Sequence, residues 1–174
     1  MTDTSDAAAV LTFTRESGTT CPDRPKAMNR TDVEFIIRMI FSELDELACT
    51  VTKNEEERNA LLANALATRD CCKQFTYADE TSLIAAQFDA LVDSWYYSLN
   101  VAARHGVNMS RIFNLVHAAN MAKRDPATGK FLRRESDGKI IKPAGWTAPD
   151  VEAEIQRQTE EGSWSLELGA HGCA

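Results

Sequence analysis

The sequence predicts an all-α protein, a bundle of four to five helices with a small hairpin or ordered loop near the C-terminus. Three observations carry this: apolar residues recur at helical spacing in successive long segments, cap residues precede them, and 174 residues contain only 8 Gly and 5 Pro. A chain of this length can bury a core without disulfides or a structural metal. The helical domain is expected over 29–159. It lies between a flexible N-terminal segment, 1–28, and a flexible tail, 160–174, neither of which shows periodicity.

The first helix is expected where Thr31 and Glu34 have the capping-box spacing, ahead of Val33, Ile36, Ile37, Ile40, Leu44, Leu47, Ala48 and Val51. Asn54 and the run Glu55-Glu56-Glu57 suit the N-terminus of a second helix, which carries Leu61, Leu62, Ala65 and Leu66 to about Lys73. From Asp79 to His105 the stripe Ile84, Phe88, Leu91, Val92, Trp95, Leu99 and Ala102 predicts the longest helix, which Gly106 ends. Asn108 or Ser110 opens a fourth helix through Ile112, Phe113 and Val116 to about Lys123, before Pro126. Asp137-Gly138 between two β-prone runs predicts the turn of a small hairpin, or an ordered loop. Pro149-Asp150 opens a short last helix to about Thr159.

A net charge of -7 opposes a general nucleic-acid coat, so any phosphate binding must be local. No run approaches the ~20 apolar residues of a spanning helix. The first residues lack the basic segment of an export signal. The five cysteines are odd in number and have no paired CxxC spacing, which suits reduced thiols. A cytoplasmic protein with no nucleic-acid and no membrane partner is expected.

Glu43 and Glu46 stand three apart on the first helix, and Asp89 and Asp93 four apart on the third, so each pair projects from one side of its helix. Asn100 continues the polar strip of the second pair. The positions one turn away that could neutralise them hold Leu47, Thr50, Ala85 and Tyr97. Four carboxylates gathered by antiparallel packing of these helices repel unless a cation joins them, and hard oxygen donors suit Mg²⁺. Solvated acidic faces are an equally open reading of the pairs by themselves.

Downstream, Lys123–Lys142 holds seven basic residues against three acidic ones, a local excess of +4 that suits a phosphate-bearing ligand. Within it Lys123, Lys139 and Lys142 are the candidates for binding. Arg124, Arg133 and Arg134 read better as a solvated counterweight to the acidic helices. Asn120 precedes Lys123 by one turn. Trp146 could stack on a base or staple the loop to the helices. No Gly-rich phosphate loop, GxSxG or HExxH is present, which leaves P-loop, serine-hydrolase and zincin chemistry without support.

The segments Ser42-Glu43-Leu44-Asp45-Glu46-Leu47 and Asp89-Ala90-Leu91-Val92-Asp93 resemble the all-α nucleoside triphosphate pyrophosphohydrolases, the MazG-like superfamily. Asn108–Lys123 and the run Gly138-Lys139 to Trp146, Pro149 and Asp150 resemble its phosphoribosyl-ATP pyrophosphohydrolase-like subgroup, and the likeness spans about Val33 to Ile155. It implies Mg²⁺-dependent (or Mn²⁺-dependent) cleavage of a nucleoside triphosphate to monophosphate and pyrophosphate by a homodimer or homotetramer. It implies metal on Glu43, Glu46, Asp89 and Asp93, with Glu43 and Glu46 catalytic. Asn120, Lys123, Lys139, Lys142, Asn100 and Trp146 are then expected to bind the nucleotide. Ser42 stands where many relatives carry a further Glu, and Asp89 with Asp93 replaces the usual ExxD pair. A phosphoribosyl-ATP substrate and a non-catalytic helical dimerisation module remain the alternatives.

Overall fold

The computed structural model describes residues 5–71, 76–135 and 138–164. Among them are six α-helices: α1 (Asp6–Glu16), α2 (Arg30–Cys49), α3 (Glu55–Thr68), α4 (Glu80–Arg104), α5 (Met109–Met121) and α6 (Val151–Glu161). They divide into two compact units. One is Arg24–Val92; the other comprises the described parts of Met1–Asp23 and Asp93–Ala174, the boundary falling within α4.

In the first unit α2 begins earlier than its capping-box spacing predicted. Asn29 Oδ1 accepts from Asp32 N at 3.0 Å while Asp32 Oδ2 accepts from Asn29 N at 3.0 Å, so the box is Asn29–Asp32 and not Thr31–Glu34. Glu34 instead pairs with Arg30 one turn back, at 2.6 Å. Asn54 caps α3 as expected, accepting from Glu57 N at 2.9 Å. The helix stops at Thr68, short of Lys73, because Arg69 adopts an extended backbone. Gln87 of α4 clips the strand of chain before α2, accepting from Met28 N at 2.8 Å and donating to Met28 O at 2.9 Å.

Within this unit α2 packs on α3, burying Ala48. The reason lies in the short 50–54 turn, which folds α3 back along the C-terminal part of α2. The apolar stripe of α2 therefore stays largely uncovered: Phe35, Ile37, Leu44 and Leu47 are all exposed.

In the second unit the segment expected to be flexible contains α1, capped by Ser5 and packed on α5. Its spacing was overlooked because small and hydroxyl residues dilute the stripe. Tertiary partners hold it: Phe13 meets Phe131 edge-on at 5.2 Å, and Glu16 pairs with Arg124. The basic segment forms an ordered loop with isolated antiparallel bridges, Arg124 to Phe131 and Arg133 to Ile140, and no named strand among the described residues. Asp137 of the expected turn lies outside the described residues.

α6 closes the start of α5. Asn108 is fully buried; Gln158 accepts from its N–H at 2.8 Å and donates to its carbonyl at 3.2 Å. Glu154 in turn accepts from Gln158 at 2.9 Å. Hydrogen bonds from Arg157 first, and from Gln158 second, hold the Glu154 carboxyl down to about 2.

Candidate functional site

α2 presents Glu43 and Glu46 to solvent, one helical turn apart. The acidic residues around them are all engaged. Asp32 caps the helix, Glu34 pairs with Arg30, and Asp45 takes Arg58 at 3.2 Å. Among the described residues, Glu43 and Glu46 have neither an ion pair nor a hydrogen bond. Asp89 and Asp93, exposed and one turn apart on α4, are likewise unneutralised, and Asn100 is exposed on the same helix. These hard oxygen donors have the chemistry that a divalent magnesium ion takes. Yet among the described residues no group of three or more His, Cys, Asp or Glu side chains comes together. A wide apolar stripe on α2 faces outward where the sequence reading placed its helical partner.

The basic candidates are better assembled. α5 ends at Met121, and its last turns supply Asn120, whose Oδ1 accepts from Lys123 Nζ at 2.7 Å. Trp146 donates Nε1–H to Ala119 O at 2.7 Å, so it does staple the loop to α5. Its ring also carries two ammoniums, Lys142 Nζ at 4.3 Å and Lys123 Nζ at 5.4 Å from the centroid. Burial first, and the Lys142 charge second, lower the pKa of Lys123. Lys123 lines a recess of about 310 Å³ with Asp125, Pro126, Leu132, Ile141 and Pro143. Lys139 and Lys142 line a neighbouring one with Arg134.

No family model matches the sequence, and no curated protein matches it. A solved structure does. The crystal structure of a "putative NTP pyrophosphohydrolase" from Exiguobacterium sp. 255-15 matches with a TM-score of 0.76 and 26% sequence identity. The match covers 92% of this chain and 99% of that one. The fold is that of the all-α NTP pyrophosphohydrolases.

On that NTP pyrophosphohydrolase fold, two arginines have roles that sequence reasoning missed. Arg124 pairs with Glu16, and Arg133 donates to Ser17 O at 2.9 Å, Ser17 Oγ at 3.3 Å and Gly138 O at 2.7 Å. They are anchors for α1 and not solvated counter-charges. Their partners lie in the segment read as flexible, so no signal within the loop could have revealed them. The grouping of Lys123 with Lys142 on one indole was also hidden, because the three residues span 23 positions of irregular chain. His117 stacks on Phe113 within α5, the ring centroids 5.9 Å apart. No described helix is long and apolar enough to cross a membrane.

Proposed function

We propose that this chain is a hydrolase of nucleotide phosphoanhydride bonds that converts a nucleoside or deoxynucleoside triphosphate to the monophosphate and pyrophosphate. The observation that carries the proposal is the fold shared over nearly the whole chain with the Exiguobacterium "putative NTP pyrophosphohydrolase". The unneutralised acid pairs support it, since carboxylates left without basic partners are free to take a cation. Glu43, Glu46, Asp89 and Asp93 would hold Mg²⁺, which when bound polarises phosphoryl oxygens and offsets charge on the departing pyrophosphate. Glu43 or Glu46 accepts the proton of the water that attacks the α-phosphorus. Lys123, Lys139 and Lys142 face the anionic leaving group, and Asn120 aims Lys123.

The functional unit in this reading is a homo-oligomer. Exposure of Leu47 at 63% and Tyr97 at 70%, with Phe35, Val92, Trp95 and Val101 also above 50%, leaves more apolar surface uncovered than a monomer tolerates. Covering those faces with a second copy is also the step to which we assign the gathering of the carboxylates.

The test is pyrophosphate release from a panel of canonical and modified triphosphates and phosphoribosyl-ATP, with and without Mg²⁺. Metal-dependent release is expected, falling by about 10²-fold or more in Glu46→Ala, the scale on which general bases act. Release that is indifferent to both the metal and Glu46 refutes the reading, and preference for phosphoribosyl-ATP reassigns the substrate.

A further inference from the structure

We infer that Trp146 is a positioning residue whose indole holds Lys123 and Lys142 together as a seat for a pyrophosphate or polyphosphate group, and that it does not stack on a nucleobase. The inference rests on the hydrolase reading only for the identity of the larger substrate. The seat itself is drawn from contacts in the loop.

The ring is fixed at both ends. Its Nε1–H is committed to Ala119 O at 2.7 Å, and its backbone N–H closes a turn onto Pro143 O at 3.1 Å. Gly145, with φ +80°, occupies the left-handed region that this turn requires and that a side chain would resist. A ring held in this way cannot swing to follow a base. Its π system is also occupied, with ammoniums at 4.3 and 5.4 Å from the centroid.

The two ammoniums share one ring, near enough for the Lys142 charge to act on Lys123, and neither has an ion pair among the described residues. Asp125 lines the Lys123 recess, but its carboxylate is spent on its own turn, accepting from Ala127 N at 2.9 Å and Thr128 Oγ1 at 3.1 Å. Lys123 has the neutral Asn120 oxygen, which orients the ammonium without cancelling its charge. Pro126, Leu132, Ile141 and Pro143 make the rest of the Lys123 recess apolar, which withdraws water from that ammonium. Burial first, and the Lys142 charge second, depress the pKa of Lys123. A ligand that relieves both charges at once must be small and multiply anionic. A pyrophosphate group meets that need, with ammonium–phosphate bonds of the charge-assisted kind.

Inorganic pyrophosphate has no base, and this makes the decisive comparison possible. Calorimetry on the full chain in metal-free buffer should be run with inorganic pyrophosphate and with a nonhydrolysable triphosphate. Trp146→Leu is expected to weaken both ligands by the same factor, roughly tenfold, the loss expected when charge-assisted contacts are misplaced. Trp146→Phe, which keeps an aromatic face, should retain most of the binding. Lys142→Met should lose pyrophosphate binding while leaving the Trp146 hydrogen bond in place, and it carries the test if Trp146→Leu loses its helical circular dichroism.

A Trp146→Leu chain that binds pyrophosphate normally but has lost the triphosphate overturns the inference in favour of base stacking. Absence of pyrophosphate binding by the unaltered chain, or its survival in Lys142→Met, overturns it outright. Pyrophosphate binding without turnover of any nucleotide leaves the seat standing and sinks only the hydrolase reading.

Discussion

Lys123 is the residue at which charge, burial and partners meet. Its folded pKa lies below 10.5 because burial and the Lys142 ammonium both disfavour the protonated form. Asp125, the acidic residue in the same recess, is turned to its own loop. In the window between the folded pKa and 10.5 the unfolded chain holds more protons than the folded one. Lys123 therefore costs stability at lower pH, and the cost fades as pH rises through that window. Anion binding follows the opposite trend. Pyrophosphate affinity is expected to fall as pH rises through the depressed pKa, earlier than an ordinary lysine would allow. Lys123→Arg should hold its affinity to higher pH, which a calorimetric pH series reads directly. At this scale the chemistry of the candidates was legible, since residue type alone marks a carboxylate pair or a lysine. Their grouping was not: Asn120 lies one turn from Lys123 and could be read, whereas Lys142 arrives through an irregular loop.

At the scale of elements, α4 to α6 were legible nearly to the residue, because Gly106, Asn108 and Asp150 are strong local stop and start signals. α1 was not, since its hold on the rest comes from Phe131, Arg124 and Arg133, more than 100 positions away. The junction of α5 and α6 makes a sharp prediction. Gln158→Ala would remove the two hydrogen bonds that its amide makes with the N–H and the carbonyl of buried Asn108, at a cost of about 1–3 kcal/mol. For a chain of this size each kcal/mol lowers Tm by roughly 2–4 °C. A thermal melt showing no change would mean that α6 does not support the start of α5.

At the scale of the whole molecule, a large set of apolar residues on α2 and α4 stays exposed, and Ala48 is the buried hydrophobic residue of the described chain. If the proposed homo-oligomer covers these faces, Tm should rise with protein concentration. Sedimentation is expected to show a dimer or tetramer, and Leu47→Asp should shift it towards monomer and abolish pyrophosphate release together. A monomeric, concentration-independent wild type would remove the oligomer from the proposal.

The sequence by itself determined the helical class, most helix boundaries, the acidic pairs and the basic loop. Periodicity, caps and charge act within a few residues of one another, so a single chain records them. Only the tertiary structure decided that α2 folds onto α3, that α1 is an anchored helix, and that Trp146 gathers two lysines. Those outcomes depend on contacts between residues distant in sequence, where loop geometry selects among partners that local pattern leaves equivalent. The carboxylate pairs stand between the two levels. Their spacing along each helix is local and was readable, whereas their convergence belongs to the proposed homo-oligomer, which no local pattern records.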